Sequence, residues 1–260
     1  MTPFTIQIAG QRVAVSTLFP STREYCRDYL TEEPPEFALS ISREDIEWER
    51  EKSAREDRVE GHPVRPFSDE YLETLAVYRK LAGKLLAYDV LLFHGSVVAV
   101  DGQGYLFAAK SGTGKSTHTR LWREQFGERA VMVNDDKPLL KLTEHGVLAY
   151  GTPWDGKHRL SSPISVPLRA ICLLERGEEN RIEPICPQEA LPMLVQQTHR
   201  PSDPALLQTT LRLLDRLSKS VDFYRLRCNM DPSAAQVAYQ GMQRTREESP
   251  DFSKETYRKG

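Results

Sequence analysis

Cysteine is scarce in this 260-residue chain, and no two of its four cysteines form a C-x-x-C pair. Cys26, Cys172, Cys186 and Cys228 stand far apart, so reduced, mostly packed thiols are expected rather than a metal or redox site. No stretch approaches the ~20 consecutive apolar residues of a membrane helix, and mean hydropathy is −0.51. Neither sign of charge dominates: 35 Lys and Arg face 37 Asp and Glu, for a net charge of −2. That balance leaves no broad basic field for nucleic acid. The first sixteen residues lack the basic start and apolar run of a secretion signal. Internal repeats and low-complexity tracts are absent too. These absences predict a cytoplasmic protein with no membrane or nucleic-acid partner. A chain of this length can bury a full core without disulfides or structural metal.

What is present divides the chain into three zones, 1–66, 67–245 and 246–260. The first alternates Phe4, Ile6 and Ile8 with Thr5 and Gln7, a strand pattern, and further short strands follow at Val13–Ser16 and Glu36–Ser40. The charged run Arg43 to His62 is a helix or loop, read either as a solvated face or as a flap over a substrate. The second zone opens with a helix capped by Ser68, with Asp69 and Glu70 in its first turn. Tyr71, Leu75, Tyr78, Ala82 and Leu85 draw one apolar stripe along it; Glu73 and Arg79 either reach a site or, as most such helix charges do, face water. Strands follow at Val90–Phe93, Ser96–Val100 and Tyr105–Ala109, the last two joined by the hairpin turn Asp101-Gly102-Gln103-Gly104. Further strands are read at Ala130–Val133, Leu139–Leu142, Val147–Tyr150, Leu168–Leu174 and Ile182–Ile185. The C-terminal part is mainly helical, over Pro187–Gln197, Asp203–Lys219 and Pro232–Met242, with a strand at Phe223–Cys228. The last fifteen residues are a polar tail.

The segment Ala109-Lys110-Ser111-Gly112-Thr113-Gly114-Lys115-Ser116-Thr117 follows an apolar strand and opens a helix, the context a phosphate-binding P-loop requires. Successive backbone N–H groups in a glycine-permitted turn converge on an anion, and the helix N-terminus adds its positive end. Lys115 is expected to reach the terminal phosphates and the Ser116 hydroxyl to ligate Mg²⁺. Ala109 stands where the usual pattern begins with glycine. Ser111 to Thr117 are therefore the nucleotide-binding candidates.

About twenty residues on, Val133-Asn134-Asp135-Asp136 ends the next strand, predicted to return as the neighbour of the strand before the loop, with its end beside the loop. One carboxylate can bind metal while the other accepts a proton from an acceptor hydroxyl. The other reading is a plain Asn-Asp-Asp turn. His94-Gly95 ends a buried strand; the histidine is either a satisfied core residue or a partner of the carboxylates or the phosphate. The turn Gly151-Thr152-Pro153-Trp154-Asp155-Gly156-Lys157 offers Lys157 as a further phosphate-binding cation, or is an ordinary loop with a packed Trp.

Together, His94-Gly95, the hairpin, Ser111-Gly112-Thr113-Gly114-Lys115-Ser116 and Asp135-Asp136 resemble the HPr kinase/phosphorylase-like kinases, whose nucleotide domain has a phosphoenolpyruvate carboxykinase-like fold. The likeness is to their small stand-alone members. It implies an α/β fold with a mixed, largely antiparallel sheet. It also implies ATP and Mg²⁺ as cofactors and transfer of the γ-phosphoryl group to a hydroxyl acceptor on a peptide, a protein or a small molecule. By the same resemblance Asp135 takes the hydroxyl proton, Asp136 holds metal with Ser116, and His94 lies near the reacting phosphate. Thr117 stands where HPr kinases carry an acidic residue, and their Pro-Gly-Arg-Asn segment has no counterpart here. Two rivals stay open: a carboxykinase-like metabolic enzyme and a non-enzymatic, nucleotide-gated binding module. A homo-oligomer is also left open.

Overall fold

The computed structural model describes residues 3–59, 61–110, 112–156 and 158–243. Two candidates, Ser111 and Lys157, and the tail 246–260 lie outside the described residues. In chain order the elements are β1 (Phe4–Ile8), β2 (Gln11–Ser16), α1 (Pro20–Tyr25), β3 (Phe37–Ser40), α2 (Arg43–Val59) and α3 (Asp69–Leu85). Then come β4 (Val90–Leu92), β5 (Ser96–Val100), β6 (Gln103–Ala108), α4 (Lys115–Phe126), β7 (Ala130–Asn134), β8 (Leu139–Thr143) and β9 (Gly146–Tyr150). The chain continues through β10 (Ser165–Arg176), β11 (Arg181–Ile185), α5 (Pro187–Gln197), α6 (Pro204–Ser220), β12 (Asp222–Cys228) and α7 (Ser233–Met242).

Strands β1 to β3 form a small sheet, antiparallel at β1–β2 and parallel at β2–β3. The other nine form one mixed sheet that runs β4-β8-β9-β10-β6-β5-β7, with β12 and β11 branching from β10. Only β10–β6 and β10–β12 are parallel; the other pairs are antiparallel. The long β10 pairs β9 through its first residues and β12 through its later ones.

Both faces of the central strands are buried, so β5 and β6 read as near-continuous apolar runs rather than alternating ones. Val97, Ala99, Leu106 and Ala108 pack under Leu194 of α5 and Leu213 and Leu217 of α6. Val98, Val100, Tyr105 and Phe107 pack on the opposite face against Trp122 of α4 and Ala238 of α7. His118 belongs to that second face: its Nε2 accepts from Trp122 Nε1 at 3.0 Å, and burial pushes it down to about 4, so it stays neutral. Among the described residues no helix is long and apolar enough to cross a membrane. Cys26 and Cys172 are buried, Cys186 and Cys228 half-buried, and all four are free.

Helix α3 departs from the single-stripe expectation. Ser68 caps it, accepting from the Tyr71 amide at 3.3 Å, worth about 1 kcal/mol. Ala82 and Leu85 are buried as the stripe requires, but Leu72, Ala76, Val77 and Leu81 are buried too, and Tyr71 is 45% exposed. The small sheet covers α3 from one side and β4 with Trp154 from another, in one apolar cluster. Burial therefore follows a wide arc. Glu73 and Arg79 do not face water either. Glu73 is fully buried and accepts from the Leu18 and Phe19 amides and the Thr22 hydroxyl, tying down the start of α1. Arg79 bonds Glu49 at 2.6 Å and Asp45 at 3.2 Å and lies over the Trp48 ring at 4.3 Å. The charged run 43–62 is thus largely a helix clasped to α3, with Ile46 buried on its inner side and Trp48, 42% exposed, against the Arg79 guanidinium.

Candidate active site

The residue after β6, the residues at the end of β7 and those before β5 meet at one edge of the sheet because of strand direction. β5 runs antiparallel to both β6 and β7, so its start lies beside their ends. His94 and Gly95 therefore come to the same edge as the 109–114 loop and the Asn134-Asp135-Asp136 segment. The expectation that β7 would lie next to β6 is corrected here: β5 stands between them. The β5–β6 hairpin folds back by local turn chemistry, so β5 occupies the edge of β6 on that side.

At the loop, Gly112 and Gly114 take φ of +74° and +121°, which side chains rarely adopt, and both face open space. α4 begins at Lys115 with no side-chain cap on its first turn. The loop is held from two sides: Arg176, at the end of β10, donates to the Gly112 carbonyl at 2.7 Å, and Gln197 donates to the Ala109 carbonyl at 3.3 Å. Lys115 Nζ is 3.5 Å from that same carbonyl. Ser116 is exposed at the head of the helix; Thr113, Lys115 and Thr117 are half-buried.

Asn134, fully buried, organises the acidic pair. Its Oδ1 accepts from the Asp136 and Lys137 amides, an Asx turn of the kind the sequence suggests. Its amide nitrogen donates to Thr152 and Trp154, which binds the turn 151–156 under the strand end. Asp135 is 7% exposed; its Oδ1 accepts from the Gly156 amide at 2.6 Å, and its carbonyl accepts from Ser96 Oγ at 2.8 Å. Asp136 Oδ1 lies 3.1 Å from His94 Nε2 and Oδ2 lies 3.0 Å from Lys137 Nζ. Both oxygens thus already have partners, and a metal there shares the carboxylate's remaining lone pairs or displaces Lys137.

The two adjacent carboxylates titrate in opposite directions. Burial pushes Asp135 above the usual range; the Gly156 amide opposes this and the charge of Asp136 adds to it. Burial pushes Asp136 the same way, but the His94 hydrogen bond and the charge of Lys137 outweigh it and bring Asp136 down to about 2. For His94 the hydrogen bond to Asp136 favours the charged ring, yet burial with Lys137 and Lys115 outweighs it and lowers the pKa. His94 is then neutral at pH 7, and the carboxylate acceptor sets the tautomer with the proton on Nε2. Lys115 is lowered by burial and by Lys137 against the pull of Asp136.

Lys137, Gln197 and Arg176 escaped the sequence reading. Lys137 directly follows the acidic doublet, a signal that was there to use; Gln197 and Arg176 reach the loop from distant strands and helices and left none. Trp154 is a packed core residue whose Nε1 donates to the Thr74 carbonyl at 2.8 Å. The turn around it leaves no spare room. A Cβ on Gly151 falls 1.9 Å from the Ser162 carbonyl oxygen and 2.6 Å from that of Val133, both backbone. Gly151→Ala is expected to destabilise the protein by about 2–3 kcal/mol, read as a lower urea midpoint at unchanged slope.

Residues 65–233 match the family described as SynChlorMet cassette protein ScmC. The chain belongs to the ScmC family. The matched span covers well over half of this family member and contains every candidate residue from His94 to Lys157. No curated protein sequence matches the chain. Among solved structures, the Hpr(Ser) kinase/phosphatase from Coxiella burnetii aligns with 49% of this chain and 92% of its own, at 13% identity and a TM-score of 0.28. At that score the superposition decides neither fold nor activity.

Proposed function

We propose that the chain is a Mg-ATP-dependent phosphotransferase that moves the γ-phosphoryl group onto a hydroxyl acceptor. One observation carries the reading: two adjacent carboxylates, one held by the Gly156 amide and the other between His94 and Lys137, stand at the sheet edge that also holds Lys115 and the glycine loop. Opposed titration of neighbouring acids is how one site divides proton transfer from charge stabilisation. Asp135, partly bonded and proton-seeking, is the base for the acceptor hydroxyl. Asp136 stays ionised, oriented by His94 and Lys137.

The loop suits a polyphosphate. Its glycines face open space, and the uncapped first turn of α4 presents amide donors. Lys115, lowered by burial, gains from an anionic neighbour. Among the described residues no group of three or more His, Cys, Asp or Glu forms a metal cage. That suits Mg²⁺, which is commonly held by one or two protein oxygens plus substrate phosphates. Ser116 and Asp136 are the residues to hold it, and when bound it neutralises charge on the phosphates. Ser111, Thr113, Thr117 and Lys157 complete the nucleotide-binding set of this proposal.

The test is transfer of label from γ-labelled ATP to hydroxyl acceptors with Mg²⁺ present. Only ionised Asp135 takes the proton, so the rate is expected to fall as pH drops through its raised pKa, about tenfold per unit below it. Slow ATP hydrolysis with no acceptor labelled points instead to the nucleotide-gated binding module.

A further inference from the structure

A cleft of about 820 Å³ opens beside the candidate site, walled by α2, by α3 and by the segment joining α5 to α6, with His94 and Lys137 in its lining. Its charge is one-sided: Lys52, Arg79, Lys80, Lys84, Lys137 and Arg200 line it against Glu56 and Asp203. Several of these charges are answered within the protein. Arg79 and Lys80 pair with Asp45 and Glu49, Lys52 faces Glu49 and Glu56, and Lys137 pairs with Asp136. Asp203 is spent capping α6, accepting from the Ala205 and Leu206 amides. Lys84 and Arg200 remain, both exposed, with no ion pair among the described residues. The excess is felt at His199, also in the lining, which burial and then Lys52, Arg79 and Arg200 pull down to about 4.

A second feature is independent of charge. Gln197 is 5% exposed and lines the cleft, and its Oε1 has no hydrogen-bond partner among the described residues. A buried, unanswered acceptor is destabilising, and a ligand N–H or O–H would satisfy it. The same side chain holds the Ala109 carbonyl, and its own carbonyl accepts from the His94 amide at 2.7 Å.

We infer that this cleft is the acceptor site and that it selects an anionic acceptor, a hydroxyl compound bearing at least two carboxylate or phosphate groups, either free or within a peptide. The inference rests on the phosphotransferase reading above. Lys84 and Arg200 meet the acceptor's charge, and Gln197 takes a hydrogen bond from it. The acceptor oxygen forms its bond to the γ-phosphorus as the bond to the bridging oxygen breaks. ADP leaves with that electron pair, and the hydroxyl proton passes to Asp135. Nucleic acid fits less well, because the chain as a whole is at −2 and the cations are confined to one recess that also carries Glu56 and Asp203.

The test is calorimetric titration of wild type and Lys84→Glu/Arg200→Glu. The probes are a serine peptide rich in Asp and Glu, its Asn/Gln counterpart, citrate and a short single-stranded DNA; Mg-ATP binding is measured separately. Wild type is expected to hold the acidic peptide or citrate at least tenfold more tightly than the neutral peptide. The double variant should lose about tenfold of that affinity and keep its affinity for Mg-ATP. Preference for the peptide assigns a peptide-borne acceptor; preference for citrate assigns a small one. Equal binding of the neutral peptide, tighter binding of the DNA, or no effect of the double charge reversal overturns the inference. Probe binding that depends on Lys84 and Arg200 without any Mg-ATP binding sinks the kinase reading alone, whereas Mg-ATP binding with no probe held sinks the cleft alone.

Discussion

Asp135→Asn is expected to lower phosphoryl transfer by a factor of about 10²–10⁴, the range for losing a positioned general base. Mg-ATP affinity should change by no more than a few-fold. The amide keeps the shape of the carboxylate and retains an oxygen for the Gly156 N–H, which Asp135 accepts at 2.6 Å, but it cannot take a proton. Folding stability separates this outcome from simple damage. Burial raises the Asp135 pKa, so whatever the protonated group contributes to stability is present below the unfolded-state pKa and lost as pH rises through the folded one. At pH 7 the ionised carboxylate is therefore a cost, and Asp135→Asn should leave the urea midpoint unchanged or higher. Wild-type transfer rates in this variant would remove Asp135 as the base.

Lys115→Ala is the second large effect. Nucleotide affinity and transfer are expected to fall together, with transfer down about 10²-fold or more, since this cation neutralises charge on the transferring phosphates. The fold should not notice. Among the described residues the Lys115 side chain makes one long hydrogen bond, 3.5 Å to the Ala109 carbonyl, and burial already works against its charge. Its removal should shift stability by no more than about 0.5 kcal/mol. Isothermal titration with Mg-ATP, beside a denaturant curve, measures both. Undiminished ATP binding would show that the 109–117 loop is an ordinary strand-to-helix turn.

The two predictions differ in how visible their residues were in the sequence. Lys115 sits in a local pattern, strand to glycine turn to helix, and the helix over Lys115–Phe126 has the bounds its pattern suggested. The helix over Pro187–Gln197 likewise matches. Asp135 and Asp136 were visible as a doublet, but not their division of labour. That division comes from the burial of Asp135, against which the Gly156 amide works, and from His94 and Lys137, which hold Asp136 down from about forty residues away and from the next position. Glu73 shows the same limit. Its pattern on α3 reads as a solvent-facing charge, and it is buried because the start of α1 brings two amides and a hydroxyl to it.

Elements and turns were legible because they arise between neighbours in the chain: side-chain periodicity, glycine's freedom at positive φ, and the cap Ser68. Pairing order beyond the β5–β6 hairpin was not, because β5 takes β7 and β6 takes β10 through contacts of high sequence separation. The charged cleft was not legible either. Its cations come from α2, α3, β7's end and the α5–α6 connection, and a chain balanced in net charge gives no sign of where folding will concentrate one sign.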